Sequence, residues 1–574
     1  MKNNTVFSLV KQTAKKSKLL FLLAFITTLA VVAASLAPPQ IMRLIIDKNL
    51  SLKTLDGLFA LTAAYVSAII LIGIFDFLKG GLLVVLGQKI VKNIRREMSF
   101  KMSKLPMSYF TQGSPGEITS HFTNDVDNVN SMFSEGIISM VIDCLKIVGI
   151  VISMAIFSKT MGVIALMIIP CVFVITRIFQ KKMLAAQVEN LKQLGAVNNH
   201  ISESLKNVSM IKAYSKETFM EELYIKHLNR NFTTIERVNF YDSIYAPIIQ
   251  IIRATVIVVI VVLSSSSLNI SGISLGMIAA SIELISNLFL PIETLGAEFQ
   301  SIQKGLSGVK RIDEFLSLEQ QEEKNESLSI PKILNDEGMA EFDFENLSFS
   351  YGEKEVLSEI NLSVTPKSKI TFAGRTGVGK TTLFKLIMGL EKPTQGRILI
   401  NGIDVYTLPN RLKRSLIGYV EQSFSFVEGS VEKQISLDDE NISRDMVISA
   451  LDFVGLKEQV EAMENGLDTI VKSEGDFSQG QKQLLAIARA IAPSPPVLLL
   501  DEVTANLDSA TEEKVMQILS RAGSGRTILS VSHRLSSMMN SDLVVVIENG
   551  KIRAKGSAEE LMESDEWFKE ISKK

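Results

Sequence analysis

Apolar residues in this chain gather into six long runs in the first half and into short runs separated by polar segments in the second. The long runs lie at about 19–38, 57–79, 136–157, 161–180, 245–265 and 274–296. Each can cross a bilayer core about 30 Å thick at 1.5 Å per residue, so six membrane helices are predicted. The links after the second and fourth runs are about 55 and 65 residues long and carry the helical segments IVKNIRREMSFKMSKL and LKQLGAVNNHISESLKNVSMIKAY. These predict that the membrane helices continue well beyond the bilayer. A polar stretch, SLEQQEEKNESLSIPKILNDEG, then reads as a linker without a packed core. After it, strand-like runs such as FDFENLSFSY, KITFAG, GRILI and PVLLLDE alternate with helical segments, the pattern of an α/β domain. The expected layout is an all-α six-span membrane domain over 1–316, a linker over 317–339 and an α/β P-loop nucleotide-binding domain over 340–574.

Composition supports two unlike halves. With 47% hydrophobic residues and a mean hydropathy of +0.25, the 574-residue chain is high in apolar content for a soluble protein, yet 21% charged residues is too many for one lying wholly in lipid. The net charge of −2 gives no basic excess that would argue for nucleic acid as a partner. Five lysines precede the first run, and Lys89, Lys92, Arg95 and Arg96 follow the second, whereas the links near Ser158 and Ser264–Ser271 are almost uncharged. This bias puts the N-terminus in the cytosol, and six spans return the C-terminal half there. The first run is longer than a signal-peptide core and is read as a retained membrane helix. Cys144 and Cys171 both fall in apolar runs, where a small buried hydrophobe is the expected role.

The candidate chemistry lies in the second half. KITFAGRTGVGKTTLFKLIMGL reads as strand, glycine-rich loop and helix start, with Gly374, Gly379, Lys380 and Thr381 at P-loop spacing. Glycines let backbone N–H groups wrap phosphates, and a helix N-terminus adds positive potential. The loop residues Gly374, Arg375, Thr376, Gly377, Val378, Gly379, Lys380, Thr381 and Thr382 are therefore the candidate ATP-binding set. Lys380 is expected to reach the β- and γ-phosphates and the Thr381 hydroxyl to bind Mg²⁺. PVLLLDE is an apolar strand ending in Asp501 and Glu502. Beside a P-loop, Asp501 can stand near Mg²⁺ while Glu502 accepts a proton from attacking water.

Just before that strand, FSQGQKQLLAIARAIA resembles the signature of the ATP-binding cassette family at Ser478, Gly480 and Gln481. Further matches follow the family order: Tyr351 in FSYGEKEVL, Gln422 in YVEQ, Asp508 in TANLD and His533 in SVSHR. The resemblance covers essentially the whole chain, because the six spans and the loops SYFTQGSPGEITSHFTNDVDNV and IKAYSKE look like the membrane half of the exporter branch. It implies that Tyr351 stacks on adenine, that Gln422 senses Mg²⁺ or attacking water, and that His533 contacts the γ-phosphate. It also implies that Ser478, Gly480, Gln481 and Asp508 of one chain complete an ATP site on a second, so that two half-transporter chains form the working unit. Departures are Gln479 where glycine is commonest, Glu421 where proline is usual, Asn506 in the D-loop, and a short TIVKSEGDFSQG segment before the signature. The altered signature and D-loop resemble halves of heterodimeric pairs and slightly favour a different partner chain over a second copy.

The resemblance implies an ATP-driven exporter of a hydrophobic or amphipathic substrate, with ATP and Mg²⁺ as cofactors; the compact layout without organelle signals points to a bacterial plasma membrane. A regulatory subunit that binds ATP and gates a partner is the rival reading. Glu502 and His533, both present, weigh against it. In the membrane half, Asp76, Asp143, Lys146, Arg253 and Glu283 lie in or near apolar spans, where an ionisable group is costly unless it pairs or faces a wet cavity. They are the candidate substrate-path residues, with pairing among themselves as the competing role.

Overall fold

The computed structural model describes residues 5–568 except 113, 158, 268–273, 322–327, 336, 376, 472–473 and 504–506. Thr376 and Asn506 thus lie outside the described residues, as do parts of the linker and of the segment before the signature. The chain divides into two units: Met1–Leu105 with Gly113–Glu319, and Pro106–Gln112 with Gln320–Lys574.

Among the described residues the first unit contains six helices long and apolar enough to cross a membrane. Four are far longer than a bilayer needs: Leu58–Met102, Lys159–Lys206, Glu217–Ser267 and Leu275–Ser317, with 45, 48, 51 and 43 residues. Even the shortest of these spans about 65 Å, roughly twice the bilayer core. The expected continuation of the membrane helices is therefore present. Pro170, Pro247 and Pro291 sit inside three of them, which a membrane helix tolerates because neighbouring helices can satisfy the freed backbone groups. The sixth helix is the most enclosed: half of its apolar window is buried, against 6% for the second. Leu284, Leu288 and Phe289 of this helix pack with Met154, Ile168 and Ile260 into the main apolar cluster of the unit. Gly305 and Gly308 permit close approach to the segment Asp125–Met132, since a β-carbon at either would strike that segment. Cys144 and Cys171 are free and exposed on the outer surface of their helices, so the expected burial is corrected. Apolar neighbours in sequence marked a membrane helix but not which of its faces turns inward.

The second unit holds two main sheets. One is antiparallel, in the order Lys354–Val364, Phe342–Tyr351, Gln395–Ile400, Ile403–Asp404. The other runs Lys551–Gly556, Leu543–Glu548, Lys369–Ala373, Thr527–Val531, Val497–Asp501, Ile417–Val420, parallel except for the first, edge strand. Val497–Asp501 is buried along its whole length, as a strand covered on both faces must be, which is why VLLL is apolar without alternation. Parallel strands put all their C-terminal ends on one edge, and that edge carries the site.

Candidate functional site

The P-loop strand Lys369–Ala373 lies between Thr527–Val531 and Leu543–Glu548. After it, Gly374 adopts φ +152, and a β-carbon there would run into the carbonyl of Ile547. Gly379, at φ +102, caps the helix Lys380–Ile387, a conformation that side chains disfavour. Lys380 opens that helix, and its buried ammonium donates to the carbonyls of Gly374 at 2.7 Å and Arg375 at 2.9 Å. Burial lowers its pKa, opposed by the charges of Glu502 and Asp501. Arg375, Gly377 and Thr381 are exposed on this turn, Val378 and Thr382 half-buried. The exposed first-turn N–H groups of such a helix are ready donors for phosphate oxygens.

Register brings the acid–base residues together. Val420 pairs with Leu500 and Val531 with Asp501, so three neighbouring strands end level with one another. Gln422, Glu502 and His533 each lie one or two residues past those ends. Glu502 takes a left-handed φ of 46° and donates its N–H to the Val531 carbonyl at 3.1 Å. Its side chain then meets both neighbours: Gln422 Nε2 donates to Oε2 at 3.1 Å, and His533 Nδ1 lies 3.3 Å from Oε1. Asp501 is buried, and burial pushes its pKa up, while a hydrogen bond from the Tyr419 hydroxyl at 3.2 Å pulls it down. Among the described residues no group of three or more His, Cys, Asp or Glu could hold a metal alone. A buried carboxylate close enough to Lys380 of the P-loop to feel its charge nevertheless suits Mg²⁺, which takes one or two protein oxygens and completes its shell from phosphates and water.

The remaining sequence candidates stand apart from this cluster. Ser478 and Gln481 form a reciprocal cap of the helix Gln479–Ile491: the Gln481 N–H donates to Ser478 Oγ at 3.3 Å and the Ser478 N–H to Gln481 Oε1 at 2.7 Å. Asp508 caps Ser509–Ala522, accepting from the N–H and hydroxyl of Thr511 at 3.1 and 2.7 Å. Thr511 also faces Gly480, so the two capped helices meet there. Tyr351 ends a strand of the antiparallel sheet with its ring edge-on to Phe349, centroids 4.8 Å apart. No hydrogen bond among the described residues joins Ser478 or Tyr351 to Glu502, Asp501 or Lys380.

Two participants were missed in the sequence. Tyr419 supports Asp501, a pairing that shows only when the strand order is known. Arg489, from the signature helix, reaches into the Gln422 loop: its Nε donates to the Gln434 carbonyl at 2.7 Å and Nη2 to the Ser425 carbonyl at 3.0 Å. Its guanidinium pairs with Glu421 at 3.3 Å and lies over Phe424 at 4.0 Å. Burial pulls its pKa down to about 10 against the pull of Glu421. Glu421, the departure from proline, is thus the counter-ion of a half-buried arginine; its unusual position was the available signal.

A strand edge carrying a P-loop, a carboxylate pair and a polar trio defines a P-loop nucleoside-triphosphatase, here on the same chain as six membrane spans. A family profile for the ABC transporter transmembrane region matches residues 21–292, and a second, for ABC transporters, matches residues 357–505. The chain is 27% identical over 97% of its length, and 92% of the relative's, to an uncharacterized ABC transporter ATP-binding protein, YfiC, of Bacillus subtilis. It is 26% identical over 93% of its length, and 92% of the relative's, to an ATP-dependent lipid A-core flippase of Albidiferax ferrireducens. With a fatty acid ABC transporter of Mycobacterium tuberculosis the identity is 28%, over 83% of this chain and 75% of that one. Its fold matches that of a bacterial Atm1-family ABC exporter with ATP bound at a TM-score of 0.76, over 99% of this chain and 98% of the other, at 21% identity. The chain belongs to the ATP-binding cassette transporters: it is a multi-pass membrane half-transporter of the exporter type whose ATPase is coupled to transport.

Proposed function

We propose that Glu502 is the general base of ATP hydrolysis, flanked by Gln422 and His533, and that two chains join to drive an unidentified hydrophobic or amphipathic substrate out of a bacterial cell. The observation that carries this is the convergence of Gln422 and His533 on the two oxygens of one carboxylate, at 3.1 and 3.3 Å. That carboxylate has a fixed orientation before any water arrives, and His533 and Gln422 stand ready to hold a phosphate oxygen and the attacking water. Lys380 and the P-loop N–H groups bind the phosphates, while Tyr351 offers a ring to the base. Asp501 and Thr381 would hold Mg²⁺, which when bound neutralises charge on the β- and γ-phosphates.

Ser478, Gly480, Gln481 and Asp508 face the ATP of the second chain in this reading. The side chains of Ser478, Gln481 and Asp508 are already held by helix caps, which lowers the ordering cost of dimer closure. ATP favours the closed pair, and that difference in affinity moves the membrane helices. Both termini are cytosolic, as the basic flanks of the spans require. The departures at Gln479 and Asn506 favour a different partner chain slightly over a second copy.

The test is Mg²⁺-ATP hydrolysis by the chain reconstituted alone in lipid, beside Glu502→Gln. Loss of a general base is expected to slow turnover about 10²–10³-fold with ATP still bound. Turnover unchanged in the variant would remove Glu502 from this role. Negligible turnover in the folded, ATP-binding wild type would call for a partner chain or the regulatory reading.

A further inference from the structure

The membrane unit carries a half-open cavity of about 680 Å³, inside the range of small-molecule sites. Five charged side chains line it: Asp143 and Lys146 from the helix Ser139–Phe157, Arg253 from Glu217–Ser267, and Glu283 and Glu293 from Leu275–Ser317. Glu283, Asn287, Leu290 and Thr294 repeat at helical spacing, so the sixth helix gives the cavity a whole face. Apolar walls come from Leu36, Ile69, Ile72, Ile150, Leu284 and Leu290.

Among the described residues none of these five charges forms an ion pair. Asp143 accepts the hydroxyl of Thr294 and shares a hydrogen bond with the buried Glu298, and the Arg253 guanidinium lies 5.6 Å from the centre of the Phe289 ring. Arg253 Nε and Glu293 Oε1 are buried without a hydrogen-bond partner. The same unit pairs charges closely elsewhere, as Asp125 with Arg311 and His121. Charges kept apart in a low-dielectric cavity cost several kcal/mol unless a partner arrives. Both signs are present, with three carboxylates against two bases. A purely apolar ligand would leave all five without a counter-charge, and a simple anion would meet the acidic excess.

We propose that this cavity binds a small zwitterionic amphiphile, its ammonium group on Asp143, Glu283 and Glu293, its acidic group on Lys146 and Arg253, and its chain against the apolar wall. The proposal rests on the exporter reading and names the class of its substrate. A lyso-lipid headgroup and a short peptide with free termini share this chemistry.

The experiment uses the full chain, with its partner if it has one, in lipid nanodiscs without nucleotide. Equilibrium binding is compared for lysophosphatidylethanolamine, its N-acetylated form, monoacylglycerol of the same chain length, and an apolar tripeptide with free termini. At least one zwitterion is expected to bind about tenfold tighter than both the N-acetylated and the neutral probe, an advantage of ~1.4 kcal/mol. The tighter of lyso-lipid and tripeptide identifies the source. Glu283→Gln and Lys146→Gln should each erase about tenfold of the zwitterion's affinity and leave monoacylglycerol unchanged. Neutral and N-acetylated probes within twofold of both zwitterions would overturn the proposal, and that comparison needs no variant to fold. So would variants that weaken every probe alike. Binding selectivity requires no ATP, so a wild type that selects the zwitterion yet fails to hydrolyse ATP would count against the exporter reading alone.

Discussion

The two halves of the chain treat buried charge in opposite ways. In the ATPase domain Lys380 is held by two carbonyls, Asp501 by Tyr419, and Arg489 by Glu421, two carbonyls and a ring. Each charge has a partner on the same chain before any nucleotide arrives, and Lys380 and Asp501 are the two that phosphate and Mg²⁺ would engage. In the membrane cavity Asp143, Lys146, Arg253, Glu283 and Glu293 stand without an ion pair among the described residues. The membrane unit is not unable to pair charges. Arg311 Nε donates to both oxygens of Asp125 at 2.9 Å, and His121 Nδ1 lies 2.7 Å from Oδ2. Committed charges rigidify; uncommitted ones retain the capacity to meet something that comes and goes. Stability measurements can therefore separate the two kinds, because only committed charges should be missed when their partner is removed.

Arg311→Met should give the largest loss. It strips the main partner from Asp125, which is only 3% exposed. Leaving such a charge uncompensated costs about 3 kcal/mol, and the helical signal of the membrane unit should melt earlier. An unchanged melt would mean that the pairing is not structural. Glu421→Ala comes next. Its side chain is 29% exposed and Arg489 keeps two carbonyls, so a smaller cost of about 1–2 kcal/mol is expected. Trp567 is the only tryptophan, and its fluorescence would report the ATPase domain specifically.

Much of this was legible before the structure. Apolar runs marked the spans because lipid leaves no alternative to a helix whose outer face is apolar. The P-loop and the strand ending in Asp501 and Glu502 were legible because phosphate chemistry demands residues adjacent in sequence. Tyr419 and the Glu421–Arg489 pair were not, since they join segments 82 and 68 positions apart and depend on strand order. Of the five intramembrane candidates, Asp143, Lys146, Arg253 and Glu283 line one cavity, but Asp76 pairs with Lys79 at 2.5 Å on its own helix. Glu293 lies within the expected span 274–296 and was not among the candidates, yet it lines the same cavity on a helix that runs on to Ser317.

Asp501→Asn should work in the opposite direction. Burial raises the pKa of Asp501, so the folded protein holds its proton more tightly than the unfolded chain, whose carboxylate titrates near 3.9. Its favourable contribution is complete below that pH and is lost as pH rises through the raised value. At neutral pH, without Mg²⁺, the ionised buried carboxylate is a net cost. The asparagine variant should be more stable there by about 1 kcal/mol and should lose the pH slope, as followed by Trp567 fluorescence. It should also lose Mg²⁺-dependent hydrolysis. A variant less stable than the wild type at neutral pH would show that the Tyr419 hydrogen bond outweighs burial.

The smallest effect is the one that separates the halves most sharply. Glu283 lines the cavity, and among the described residues its carboxylate makes no hydrogen bond or ion pair. Glu283→Gln removes no in-chain partner and relieves a poorly solvated charge, so the helical melt of the membrane unit should shift by no more than the equivalent of about 0.5 kcal/mol, in either direction. A loss comparable with that of Arg311→Met would place Glu283 among the committed charges, satisfied by a neighbour on the second chain, and the distinction between structural and receptive charge would fail where it matters. A flat melt would leave the carboxylate with no structural duty, and a charge kept in a membrane at a cost without a structural duty is there for its ligand.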